Sequence, residues 1–253
     1  MRRAFLLICL LILSACGAPS SDPGGRTTIG DRDPVNFRGR APSSFAVRGI
    51  DVARFQKKVD WARARKAGVE FAFIKATEGG DLRDPMFRTH WRGAQRAGVR
   101  RGAYHFYYFC TPPEVQARWF IRTVPKTAGA LPPVLDMEWN PFSPTCQRRP
   151  TGQIVRGEMR VFLEMVERHY GQKPIIYTTP GFYDDAGLGA FSDYEFWLRT
   201  TAKTPREAYP GQSWRFWQYT ATGILPGTPG DVDINVFNGS RDFWESWLSQ
   251  RAR

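Results

Sequence analysis

From Val47 onward, short apolar runs alternate with amphipathic stretches along the chain. Val47-Arg48-Gly49-Ile50-Asp51 reads as a short strand. Residues 60–67 predict a helix, with Asp60 at its start and Gly68 just past its end. The run over 71–77 predicts a second strand. Asp84-Pro85 then reads as a cap followed by proline at the first helical position. Phe87, Trp91 and Ala94 share one face of that helix, and Gly98 ends it. A third strand covers 102–108. Thr111-Pro112-Pro113-Glu114 carries a capping-box signature before Val115 and Trp119 at helical spacing. The fourth strand is Val134-Leu135-Asp136-Met137-Glu138, a long helix fits 152–170 with Gly171 beyond it, and 173–179 is the fifth strand.

This beat points to right-handed β-α-β units and a parallel sheet. After Thr179 it changes. Segments 196–201, 215–220 and 232–237 are strand-like, but the stretches between them are turn-rich. A final helix is expected over 240–249, with Phe243, Trp244 and Trp247 along one side. Eight strands with about five helical crossovers predict an α/β chain folded as a barrel with an irregular last third. The Gly79-Gly80 pair lacks the spacing of a phosphate-cradling loop, so no nucleotide site is expected.

The 253 residues are 42% hydrophobic and 14% aromatic, enough for a substantial core, which excludes wholesale disorder and a collagen-like fibre. Residues 4–13 are the one run apolar enough for a membrane, and ten residues are too few to span it as a helix. They follow Met1-Arg2-Arg3 and end in Leu13-Ser14-Ala15-Cys16, the layout of an exported precursor. This segment also resembles the bacterial lipoprotein signal. The resemblance implies cleavage before Cys16 and lipid attached to Cys16; an ordinary signal peptide with an incidental cysteine is the alternative. Gly17 stands where an aspartate would signal retention at the inner membrane. The expected location is therefore the cell envelope, lipid-anchored, and the outer membrane facing the periplasm if the cell has one. Residues 20–41 are rich in Gly, Pro, Ser, Asp and Arg without periodicity. The expected organisation is a signal over 1–15, the lipidated cysteine and a flexible tether over 16–46, and a barrel domain over 47–253.

Export changes how the remaining cysteines are read. Cys110 and Cys146 either form a disulfide, closing a loop worth about 4 kcal/mol in chain entropy, or stay as two buried thiols. His90, His105 and His169 lack zinc spacing relative to them, so neither a metal nor another cofactor is expected. The net charge of +12 favours an anionic partner: nucleic acid, anionic lipid or an acidic polymer. Export and the lack of any helix-turn-helix or zinc pattern argue against nucleic acid.

In an α/β barrel, chemistry sits at the carboxyl ends of the strands. Asp51 ends the first strand, Glu78 follows the second, Asp136 and Glu138 end the fourth, and Asp233 lies in the last. Asp136 and Glu138 are two apart, so both side chains emerge on one face while Met137 points away. Two carboxylates held close at an apolar rim oppose each other's ionisation, which lets one act as an acid while the other stays charged. Glycosidic bond cleavage needs that pairing. Aromatic residues at neighbouring strand ends, Tyr104 and Trp217 among them, offer faces on which sugar rings stack.

Together these segments resemble the family 25 glycoside hydrolases, the lysozymes of the Chalaropsis and cellosyl type. The resemblance rests on Arg48-Gly49-Ile50-Asp51-Val52 with Phe55-Gln56, Phe73-Ile74-Lys75-Ala76-Thr77-Glu78-Gly79, and Gly102-Ala103-Tyr104-His105-Phe106. It continues through Leu135-Asp136-Met137-Glu138, Ile176-Tyr177-Thr178, Trp217-Gln218-Tyr219 and Asp231-Val232-Asp233-Ile234-Asn235-Val236-Phe237, so that about 47–238 is covered in order. It implies an irregular TIM-like (β/α) barrel of about five β/α units and three further strands. It also implies an N-acetylmuramidase that cuts the β-1,4 bond between N-acetylmuramic acid and N-acetylglucosamine in peptidoglycan. Glu138 corresponds to the general acid, Asp136 to its carboxylate neighbour, and Asp51 and Asp233 to further acids of the cleft. Tyr104, Tyr177, Trp217, Gln218 and Glu78 are the expected substrate-binding residues.

The chain departs from the family pattern in its sixth strand. Phe196-Trp197-Leu198-Arg199-Thr200-Thr201 keeps a tryptophan but has Arg199 where the family often has alanine, and it lacks the final aromatic. A peptidoglycan-binding domain without activity, and a glycosidase of another N-acetylated glycan such as chitin, are the competing functions. Peptidoglycan is the expected partner, with the membrane reached through the lipid, and a monomer is the expected state.

Overall fold

The computed structural model describes residues 29–252. The expected signal segment and Cys16 lie outside the described residues. In chain order the strands and helices are β1 (Gly30–Asp31), β2 (Arg48–Val52), α1 (Trp61–Lys66), β3 (Val69–Glu78), β4 (Leu82–Arg83), α2 (Phe87–Arg96), β5 (Arg100–Phe106) and α3 (Pro113–Thr123). They continue as β6 (Val134–Met137), α4 (Gly152–Tyr170), β7 (Ile175–Thr178), α5 (Pro180–Ala186), β8 (Glu195–Arg199), α6 (Pro205–Ala208), β9 (Phe216–Ile224), β10 (Val232–Phe237) and α7 (Arg241–Arg251).

Eight of the described strands close into a barrel in the order β2-β3-β5-β6-β7-β8-β9-β10, with β10 returning to β2. The pairings from β2 round to β9 are parallel. Strand β10 runs antiparallel to both neighbours. Helices α1 to α5 make the five crossovers; the four-residue α6 stands between β8 and β9, and a turn joins β9 to β10. This is the irregular barrel the sequence predicts, five β/α units and three further strands.

Alternation along each strand splits the core in two. Phe71, Phe73, Val134, Ile175, Trp197, Phe216 and Phe237 fill the barrel, and Trp244, Trp247 and Leu248 of α7 pack against them. The residues between them, such as Ala72, Ile74, Leu135, Met137 and Ile176, pack outward with Phe120, Phe162 and Leu163 of the helices. So much aromatic volume needs space from small neighbours. A Cβ on Gly49 would lie 2.5 Å from the Phe71 ring, and one on Gly102 would lie 2.9 Å from that of Phe73.

Local expectations hold to different degrees. Asp60 caps α1, accepting from the Arg63 N–H, and Gly171 ends α4 in the left-handed conformation. Asp84 does not cap α2, which starts at Phe87. Its carboxylate instead accepts from the backbone of Met86 and, across the chain, of Arg54. Thr111 makes no capping box, because α3 starts at Pro113 with Pro112 as its cap residue and no side-chain bond. Residues 29–46, expected as the end of a flexible tether, lie on the barrel. Strand β1 pairs with β9, Phe45 is buried, and Phe37 meets Trp217 edge-on at 4.9 Å. Cys110 and Cys146 are joined as a disulfide, which settles the choice left open by the sequence. Among the described residues, no helix is long and apolar enough to cross a membrane.

Candidate active site

The parallel strands carry the inward-facing series past the aromatic core and end it in polar residues. Asp51, Lys75, Tyr104, Phe106, Asp136, Glu138, Tyr177, Arg199, Gln218 and Asp233 line one cleft of about 440 Å³ at the carboxyl ends of these strands. The packed aromatics below it make an apolar floor, and the acids stand on it.

Asp51 is held most firmly. One of its oxygens accepts from Gln218 Nε2 at 2.9 Å and from Asn235 Nδ2 at 2.8 Å. Each amide is itself fixed by an aromatic donor. Tyr177 OH donates to Gln218 Oε1 at 3.0 Å, and Trp197 Nε1 donates to Asn235 Oδ1 at 2.7 Å. The two donors aim Asp51 and favour its charged form, yet burial outweighs them and pushes its pKa up to about 6. Asp233 lies directly across the β10–β2 pair from Asp51. Burial, and then the neighbouring charge of Asp51, push it up to about 8.

Asp136 is buried at the end of β6, and its Oδ1 has no hydrogen-bond partner. Burial raises its pKa well above the carboxylate range, and Glu138 adds to the rise. Glu138 follows β6 directly. Burial raises its pKa too, against the pull of Arg199 and Lys75. The cleft therefore holds four acids that cannot all ionise together, with two cations at its edge. Lys75 is committed, donating to Glu78 at 2.6 Å. The Arg199 guanidinium forms no hydrogen bond or ion pair among the described residues and acts on Asp51, Glu138 and Asp233 through its field.

Three of the five expected substrate-binding residues fall here, and two do not. Tyr104, Tyr177 and Gln218 line the cleft. Glu78 lies in the adjoining hollow, held by Lys75 and by the Tyr108 hydroxyl, and despite its burial these partners keep its pKa low. Trp217 is not a wall of the cleft. It is 1% exposed, packs outward with Phe45 and Val236, and donates its indole N–H to Thr200 O at 2.8 Å. Alternation forbids Trp217 and Gln218 from facing the same side. Trp197 takes the inward place, stacked on Phe73 at 4.5 Å. Asn235, Lys75 and Arg199 are site residues that the sequence reading did not single out as such. The signal for each was available: Asn235 and Arg199 stand two residues from Asp233 and Trp197 on their strands, and Lys75 two residues from Phe73. Among the described residues, no group of three or more His, Cys, Asp or Glu side chains is placed to hold a metal ion.

Comparison with known proteins agrees with this geometry. The family description "Glycosyl hydrolases family 25" matches residues 50–228. The uncharacterized protein YegX of Escherichia coli K12 is 38% identical over 216 residues, covering 83% of this chain and 76% of its own length. Lysozyme M1 of Streptomyces globisporus is 36% identical over 210 residues, covering 77% and 68%. A family 25 glycosyl hydrolase structure from Bacillus anthracis superposes with a TM-score of 0.76 at 36% identity, covering 85% of this chain and 98% of that one. Sequence, barrel topology and the acid-lined cleft converge on one conclusion: the chain belongs to the family 25 glycoside hydrolases.

Proposed function

We propose that the protein is an N-acetylmuramidase that hydrolyses the β-1,4 bond between N-acetylmuramic acid and N-acetylglucosamine in peptidoglycan. Its similarity to Lysozyme M1 and to proteins named N,O-diacetylmuramidase supports that substrate. The observation that carries the mechanism is the buried, unpartnered Asp136 Oδ1 next to a Glu138 whose pKa is raised.

Glu138, whose pKa burial raises and whose proton is thereby held more tightly, serves as the general acid. It protonates the glycosidic oxygen as the bond to the anomeric carbon breaks. The substrate's own 2-acetamido oxygen attacks that carbon, and Asp136 accepts the acetamido N–H, which orients and polarises the amide. Glu138, now ionised, takes a proton from water. The resulting hydroxide attacks the anomeric carbon, the ring made by the acetamido group reopens, and the sugar leaves with retained configuration. Asp51, fixed by Gln218 and Asn235, supplies a negative field in the cleft.

The protein acts as a monomer, since one chain carries every group this mechanism uses. The run Leu13-Ser14-Ala15-Cys16 supports an envelope location through lipid on Cys16. Labelled fatty acid incorporated into the protein, and lost in Cys16→Ser, tests the anchor.

Digestion of purified peptidoglycan followed by mass spectrometry of the fragments tests the chemistry. Fragments with reducing-end N-acetylmuramic acid are expected from the protein and not from Glu138→Gln. Co-sedimentation with the wall but no fragments from either would instead support a binding domain without activity. Release from chitin alone would move the substrate to another N-acetylated glycan.

A further inference from the structure

The catalytic cleft opens into a second hollow. It has a volume of about 850 Å³ and shares Phe55, Lys75 and Phe106 with the cleft. Its walls are the β3–β4 turn, the segment following β5 and the loop after β6.

Three features of this hollow go beyond the four-acid site. Its rim carries Phe55 (69% exposed), Phe142 (91%) and Leu82 (37%), half of the exposed large apolar side chains recognised among the described residues. Single exposed apolar residues need no explanation, but their gathering around one hollow that continues a ligand cleft does. Beneath them is a preformed polar floor. Tyr108 OH donates to Glu78, Asn140 Nδ2 donates to Tyr108 OH at 3.3 Å, and Lys75 donates to Glu78 at 2.6 Å. The charges of Lys75 and Glu78 cancel, so this floor suits a neutral, hydroxyl-rich group better than an anion.

The walls are also fixed. The disulfide ties Cys110, after β5, to Cys146 in the loop after β6. Within that loop the Cys146 N–H donates to the buried Ser143 hydroxyl at 2.9 Å. On the far side, a Cβ on Gly80 would come within 2.8 Å of Thr111, so the Gly79-Gly80 turn sits directly against the start of α3. Apolar platforms above a hydrogen-bonding floor match a pyranose ring, which presents C–H faces and hydroxyl edges.

We propose that this hollow is a further sugar-binding subsite, taking a neutral saccharide unit of the same glycan strand beyond those at the four acids, with the Cys110–Cys146 disulfide holding its outer wall. The proposal rests on the glycosidase reading of the neighbouring cleft. The test is calorimetric binding to the full-length Glu138→Gln protein of peptide-free glycan oligomers, two to eight sugars long, prepared from peptidoglycan. Affinity is expected to step up about three- to tenfold once an oligomer is long enough to reach the hollow, the size of one aromatic stacking contact. Adding Phe142→Ala, a change at an exposed position, should remove that step, and so should Cys110→Ser with Cys146→Ser. Affinity independent of length, or a step that survives Phe142→Ala, would overturn the proposal. So would a step seen only with oligomers that retain stem peptides, because the hollow would then hold peptide rather than sugar. Failure of the muramidase reading shows separately, as intact peptidoglycan after incubation with the unsubstituted protein.

Discussion

Asp51→Asn should make this protein more stable, and the gain should depend on pH. The asparagine side-chain oxygen can still accept from Gln218 and Asn235, which bond a single oxygen of Asp51 at 2.9 and 2.8 Å. What the substitution removes is a buried charge. Burial lifts the pKa of Asp51 from 3.8 to about 6. The folded state therefore binds more protons than the unfolded state between these values, and stability falls as pH rises through that window. This is the reverse of a salt-bridged aspartate, whose contribution is lost on acidification.

Above pH 7 the shift of about two units costs about 3 kcal/mol, at 1.36 kcal/mol per unit. At pH 4.5 the folded carboxyl is neutral and the cost is only about 1 kcal/mol. In a domain of this size about 3 kcal/mol corresponds to roughly 6–12 °C in Tm. Urea unfolding of both proteins at pH 4.5 and 7.5 measures the difference directly. The variant should gain about 3 kcal/mol at the higher pH and about a third of that at the lower, while losing most of its activity. An equal gain at both pH values, or destabilisation at pH 7.5, would refute the idea that the cleft stores an unfavourable charge at Asp51.

Other substitutions probe separate parts of the argument. Trp217→Phe deletes a buried indole bond to Thr200 O, so denaturant titration should show a loss of about 1–3 kcal/mol while KM for peptidoglycan stays unchanged. Arg199→Leu removes a cation that opposes the rise of the Glu138 pKa, so the alkaline limb of the pH–rate profile should move to higher pH. A limb that stays in place would show that the Arg199 field does not reach the acid. Gly49→Ala places a methyl group 2.5 Å from the Phe71 ring and should cost at least about 1–3 kcal/mol in thermal unfolding. Gly157→Ala, on α4 with nothing within 4 Å, should instead raise stability by about 0.5–1 kcal/mol.

The barrel was legible in the sequence because its period was. Each inner strand alternates, and α1, α2 and α4 are each followed by a glycine at positive φ, Gly68, Gly98 and Gly171. The short α5 was not legible, because seven residues carry too little periodicity to stand out from a turn-rich stretch. The fate of residues 29–46 was hidden for a different reason. Their composition is that of a linker, and their order comes from contacts with β9 and Trp217, which local sequence does not record. Thr111 failed as a cap because a proline after it took the cap position with extended backbone, leaving the threonine one place too early.

The site shows where motif and geometry part company. A motif such as Trp217-Gln218-Tyr219 marks three consecutive residues alike, but a strand sends the middle one to the cleft and its neighbours outward. Alternation applied to each strand separates Gln218 from Trp217, adds Asn235 to Asp233, and brings Arg199 inward two residues after Trp197. That last step gives the changed sixth strand a physical meaning. A barrel mouth carrying Asp51, Asp136, Glu138 and Asp233 on an aromatic floor is short of positive charge, and Lys75 is already bonded to Glu78. Where the related pattern has a neutral alanine, this chain puts a guanidinium within the field of three of the four acids. Arg199 thus changes the charge balance of the site. Its field favours the charged forms of Asp51, Glu138 and Asp233 against the burial that opposes all three.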